Sequence, residues 1–180
     1  MNNQTGPRRT HANPGMEAFS RWVSGTGRGQ ALGHWVSRIV ALPQLRRRTS
    51  GAIPWSPLQR PLREATVALV TTCGVHLRED RPFKLSGDDT FRVIPRTAET
   101  DDLAITHQGY DRTDALRDIN LVFPLQRLRE LAAEGVIGRV ADRHYGLGLA
   151  DKVDEMVATG REVGRLLKRD HVDLALFVPA

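Results

Sequence analysis

Apolar positions follow two rhythms along this chain: unbroken runs that suit strands and spaced stripes that suit helices. Ala65 to Thr72 is an apolar run rich in β-branched residues and predicts a core strand. Shorter runs predict strands over Phe91 to Ile94 and Leu103 to Thr106. Pro124 to Ala133 predicts a helix, with Pro at its start, Leu125, Leu128 and Leu131 on one stripe, and Gly135 beyond its end. Val136 to Ala141 reads as a short strand or a turn. Asp151 to Arg169 predicts a second helix. Its inner face would be Val153, Met156, Val157, Val163, Leu166 and Leu167, with Lys168 and Arg169 at its carboxyl end. Val172 to Val178 is again continuously apolar and reads as a buried strand.

Strands alternating with helices predict an α/β fold: an open, mostly parallel sheet with helices on both faces. In that architecture a core strand is followed by a loop and a covering helix. The sequence stops at Val178-Pro179-Ala180, so the fold is expected to be incomplete at its carboxyl end. Ligands of such folds bind outside the carboxyl ends of the strands, which places the expected active-site loop at this point.

Ahead of the body lies a different composition. Residues 1–15 read as a disordered tail with no apolar signal-peptide core. Residues 16–63 read as a basic helical arm and connector. Phe19, Trp22 and Val23, then Leu32, Trp35, Val36, Ile39 and Val40, lie at helical spacing on either side of Gly25, Gly27 and Gly29. Pro54, Pro57 and Pro61 mark an extended connector, and residues 64–180 form the α/β domain. Up to Arg63 there are ten arginines and one acidic residue, giving +9. From Glu64 onward sixteen basic and twenty acidic residues give −4. Such an arm suits partner docking. Nucleic acid is disfavoured, because no aromatic-plus-basic motif accompanies the charge. A single cysteine precludes an internal disulfide and fits a cytoplasmic protein. No apolar run reaches the ~18 residues of a membrane span.

Candidate chemistry clusters after the strands. The first runs into Thr71-Thr72-Cys73-Gly74-Val75-His76, and the third into His107-Gln108-Gly109-Tyr110-Asp111. Strand ends that deliver Cys, His and Asp to one rim could hold a thiolate beside a cationic imidazole. Cys73, His76, His107 and Asp111 could equally be read as ligands of a hydrolytic metal, though their spacing carries no known signature and no metal is expected. Cys73 could also be a small core residue, and each histidine a satisfied structural one. Asp88-Asp89 and Asp101-Asp102 read as turn and cap residues. Gly146-Leu147-Gly148 lacks the third glycine and the preceding strand of a phosphate fingerprint.

Several segments occurring in order carry a stronger signal: VALVTTCGVHLREDRPF, GDDTFRVIP, ITHQGYD, DINLVFPLQRLRELAAEGVIG and RHYGLG. From about Trp55 to Ala180 the chain resembles the glycine/sarcosine/betaine/D-proline reductase selenoprotein B family, the D-proline reductase side most closely. The resemblance implies an oxidoreductase that reductively cleaves a C–N bond in an amino acid or amine, with a dithiol or selenol–thiol pair as electron carrier. It implies a selenocysteine or cysteine immediately after Ala180, at a codon that doubles as a stop. It also implies a partner reductase subunit bearing a pyruvoyl group, a thiol electron donor and an oligomeric assembly. Gly74, His76, Phe83, His107, Tyr110, Asp111, Asn120, Phe123, Pro124 and His144 match motif positions, and the resemblance implies that the polar ones, His76, His107, Tyr110, Asp111, Asn120 and His144, form the substrate pocket. Cys73 stands where many relatives have Ala, so it enters only as an auxiliary thiol. Tyr145-Gly146-Leu147-Gly148-Leu149 also departs from the family pattern, which leaves the substrate open. On the resemblance, the catalytic atom lies outside this sequence and the chain alone would be inactive. A non-catalytic α/β docking protein complete at Ala180 is the contrasting expectation.

Overall fold

β1 (Thr66–Thr71) is buried at every position and organises the molecule. The computed structural model describes residues 56–151 and 153–179; the expected tail and most of the basic arm lie outside them. After β1 come β2 (Val75–Leu77), β3 (Phe91–Pro95), β4 (Leu103–Ile105), α1 (Leu125–Ala133), β5 (Arg139–Val140), β6 (Arg143–Leu147), α2 (Val153–Arg169) and β7 (Leu174–Val178). Short 3-10 turns lie at Leu62–Glu64, Thr100–Asp102 and Ile119–Leu121.

β7 pairs in parallel along one edge of β1, from Val67↔Leu174 to Thr71↔Val178. The other edge is shared by two parallel partners. β5 takes its beginning (Thr66↔Arg139) and β6 its end (Val70↔Tyr145). β3 closes that side by pairing antiparallel with β6. The sheet is therefore mixed and mostly parallel, as expected. Apart from it, β2 and β4 form a small antiparallel ribbon with Val75 opposite Ile105.

Alternation along β1 sends side chains to two cores. Val67 and Leu69 join Ile94, Phe123, Leu125 and Leu128, which places α1 on that face. Val70 joins Tyr145, Leu147 and Val163, with Met156, Leu166 and Leu167 packed against them, which places α2 on the other. Helices thus cover both faces.

Three local expectations change. Val157 does not belong to the inner face of α2 and is 44% exposed. At ~100° per residue it sits roughly 120° around the helix from Val163. The strand over 172–178 is not buried: Leu174 is 39%, Leu176 41% and Phe177 64% exposed. Among the described residues β7 is hydrogen-bonded only to β1, so it is an edge strand. Finally, Gly146-Leu147 lies within strand β6. A Cβ on Gly146 would stand 1.8 Å from the Val75 carbonyl oxygen, so only glycine lets the ribbon approach the sheet there.

Candidate active site

The carboxyl ends of β1, β4 and β7 converge on one rim, and backbone chemistry explains how. β1 leaves the sheet at Thr72, whose N–H donates to the Val178 carbonyl at 3.1 Å. The Thr71 hydroxyl donates to the same carbonyl at 3.1 Å and accepts from the Cys73 N–H at 3.1 Å. Cys73 Sγ lies 3.8 Å from that carbonyl. The chain then turns at Gly74, with φ +71°. A Cβ at this position would lie 2.2 Å from the Thr106 carbonyl oxygen, so glycine is required on two counts. Thr106 N–H donates back to the Gly74 carbonyl at 2.9 Å and ties the end of β4 to the end of β1.

From the loop after β4, Tyr110 reaches over and its hydroxyl donates to the Cys73 carbonyl at 3.1 Å. Its ring lies 5.0 Å from that of His107. His107 is 3% exposed, and its Nδ1 accepts the Gly109 N–H at 2.9 Å, which puts the proton of the neutral ring on Nε2. Burial, then the nearby Arg112 charge, hold its pKa below the usual range. Burial pushes the Cys73 thiol up, against the lowering effect of its hydrogen bonds with Thr71 and Tyr110. Burial also raises the Tyr110 phenol. The rim is therefore a set of uncharged groups: a thiol, a phenol and a neutral imidazole. A thiolate beside a cationic histidine, one of the expectations, does not describe it.

His76 stands on the ribbon next to this rim. Its Nδ1 faces the Leu77 carbonyl at 2.7 Å and its Nε2 the Thr106 hydroxyl at 2.9 Å. The remaining sequence candidates are elsewhere. Asp111 is exposed, and its Oδ1 accepts from the N–H and hydroxyl of Thr113. Asn120 lines a separate hollow of about 450 Å³ with Arg78, Asp118 and Gln126. Its amide donates to Asp118 and Gln126, while its Oδ1 has no hydrogen-bond partner among the described residues.

His144 is fully buried and fills a gap in the sheet. Between β5 and β6 the ladder on that edge of β1 is interrupted, and the Leu69 N–H left there donates to His144 Nδ1 at 2.9 Å. Its ring meets Phe123 edge-to-face at 6.0 Å, and burial holds its pKa down to about 4. Among the described residues no three His, Cys, Asp or Glu side chains form a group able to hold a metal, so Cys73, His76, His107 and Asp111 do not make one. Sequence reasoning missed Thr71, Thr106 and the Val178 carbonyl. A polar residue closing an apolar strand, as in Leu103-Ala104-Ile105-Thr106, was the available signal for Thr106.

The model of the glycine/sarcosine/betaine reductase selenoprotein B family matches residues 45–179. The chain is 43% identical over 125 residues to the D-proline reductase subunit gamma of Acetoanaerobium sticklandii, a match covering 68% of this chain and 52% of that protein. It is 33% identical over 133 residues to the glycine reductase complex component B subunit gamma of Symbiobacterium thermophilum, covering 69% of this chain and 30% of that protein. It is 33% identical over 132 residues to the sarcosine reductase complex component B subunit beta of Peptoclostridium acidaminophilum, with the same coverages. The matched region thus spans about half the length of the first relative and about a third of the others. No solved structure matches the chain.

Proposed function

The chain belongs to the glycine/sarcosine/betaine reductase selenoprotein B family, and from that premise we propose that it supplies the substrate-facing rim of a reductase-complex subunit. The observation that carries this reading is the convergence of β1, β4 and β7 on one rim, where Cys73 Sγ lies 3.8 Å from the Val178 carbonyl and Tyr110, packed beside His107, donates to the Cys73 carbonyl. The reaction is the reductive cleavage of a C–N bond in a small amino acid or amine. The bond breaks with two electrons and two protons: the carbon gains a C–H bond and the nitrogen departs carrying a new N–H. A selenol–thiol or dithiol pair supplies the electrons and ends as a Se–S or S–S bond.

In this reading the selenocysteine or cysteine follows Ala180, on the rim to which β7 points. Cys73 is at most an auxiliary thiol there, since burial keeps it protonated. A partner subunit would hold the substrate amine through its pyruvoyl group, and a thiol donor would restore the reduced pair. The relatives named as complex components support a multi-subunit assembly. The lone, buried, unpaired Cys73 suits a reducing cytoplasm. The intact mass of the product, expressed from its own gene with selenocysteine-decoding machinery, tests this. The expected product continues beyond Ala180 and carries selenium or a cysteine there. A product with neither would sink the reading.

A further inference from the structure

The β2–β4 ribbon has one edge against the sheet and one that no described strand covers. Its register sets Val75 opposite Ile105, His76 opposite Ala104 and Leu77 opposite Leu103. Thr106 N–H donates to the Gly74 carbonyl and Arg78 N–H to the Asp102 carbonyl, so the pairs that flank the ribbon are of the hydrogen-bonded kind. Antiparallel pairs alternate between bonded and non-bonded kinds, so His76–Ala104 is bonded while Val75–Ile105 and Leu77–Leu103 are not. The main-chain groups of Leu103 and Ile105 therefore point away from β2, to the outer edge of the ribbon. The same rule sends the Val75 carbonyl out on the other side, where it meets Gly146 of β6.

Two of the groups on the outer β4 edge are already used. Leu103 N–H donates to the Thr100 carbonyl, and the Ile105 carbonyl accepts from Arg112 at 3.4 Å. The Leu103 carbonyl and the Ile105 N–H have no hydrogen-bond partner among the described residues. These two flank Ala104, so one residue of an added strand running parallel to β4 can donate to the first and accept from the second. An antiparallel strand would need both groups of Leu103 or both of Ile105. All three residues of β4 line the hollow of about 450 Å³ beside Asn120. At ~3.3 Å rise, ~4.8 Å between strands and ~10 Å between layers, an extended residue takes up ~160 Å³, so the hollow holds about three, the length of β4. Arg78 and Arg117 against Asp101 and Asp118 leave its wall neutral, and Leu116, 66% exposed, adds apolar surface.

We propose that this edge is a docking surface for a partner subunit: an uncharged, extended segment of the partner adds to the ribbon as a strand parallel to β4 and packs against Leu116. Open main-chain groups on a strand edge are a template for pairing with another chain, and a balanced wall favours a segment without net charge. The inference rests on the multi-subunit reading above and gives it a surface. Thr106 and His107 directly follow β4, so a parallel strand seated there points its carboxyl end toward the rim.

The test is residue-resolved amide hydrogen exchange of the full chain alone and in its native complex. Alone, the Ile105 amide should exchange at least ~10-fold faster than the ladder-bonded Ala104 amide, and in the complex the two should be equally protected. An Ile105 amide already protected in the dilute chain, or unchanged by assembly, overturns the inference. Protection that appears in the chain alone as its concentration rises assigns the edge to a second copy and overturns the partner. Two variants give a separate readout. Leu116→Glu, in the hollow, should weaken assembly at least ~10-fold, whereas Leu121→Glu, 59% exposed and outside the hollow, should not. Both side chains lie mostly in solvent, so neither change should move the unfolding midpoint of the chain. Equal assembly of the two variants overturns the inference and leaves the reductase reading standing. A wild-type chain that enters no complex contradicts the multi-subunit reading and removes the occupant with it.

Discussion

β1 and β7 are neighbours with similar sequences and opposite environments. Thr66-Val67-Ala68-Leu69-Val70-Thr71 and Leu174-Ala175-Leu176-Phe177-Val178 are both apolar runs, paired in register over five residues. Every position of β1 is buried, whereas no position of β7 is. The difference lies in the neighbours: among the described residues β1 has partners on both edges and core on both faces, and β7 pairs with β1 alone. An apolar run therefore reports that a segment prefers a sheet, and its place in the sheet is decided by pairing that the run does not encode.

That contrast can be broken most severely where the ribbon meets the sheet. Gly146→Ala would drive a Cβ into the Val75 carbonyl. It should cost more than ~4 kcal/mol or abolish the cooperative melt, as followed by denaturant unfolding. Next, Leu69→Ala in the buried strand should cost about 2–5 kcal/mol by the same measurement. The pH dependence probes the gap filled by His144. Its pKa in the fold is about 4 against 6.5 for the free side chain. The unfolded chain binds a proton that the fold refuses, so stability is full above about pH 6.5 and falls as pH drops toward 4, by on the order of 3 kcal/mol. Unfolding free energies measured at pH 7 and pH 4.5 check the sign. Tyr110→Phe removes one hydrogen bond to the Cys73 carbonyl and should cost about 1 kcal/mol. At the other extreme, Phe177→Ser on the exposed strand should change the stability of this chain by no more than ~0.5 kcal/mol.

Much of the frame was legible because its signals are local. The stripe of Leu125, Leu128 and Leu131 and the run of β1 both announced their elements, and the helix–strand alternation announced the α/β class. β6 was not legible as a strand. Arg143, His144 and Gly146 carry weak strand signals, and their reasons are tertiary: His144 satisfies Leu69, and Gly146 makes room for Val75. The rim was partly legible, since Cys73, His107 and Tyr110 follow strand ends. Asn120 and His144 belong to other motifs of the same ordered series, yet they stand apart from that rim, one in its own hollow and one inside the sheet. Sequence order shows that residues travel together and leaves open which way their side chains face.

The central claim is that this rim serves reductive C–N cleavage. The most direct measurement takes the native complex containing the chain, supplies a dithiol, and quantifies dithiol oxidation and the cleaved product from glycine, sarcosine, betaine and D-proline separately. The account predicts one dithiol oxidised per C–N bond broken with at least one of these substrates. Full assembly with no dithiol-dependent cleavage of any of them would contradict it.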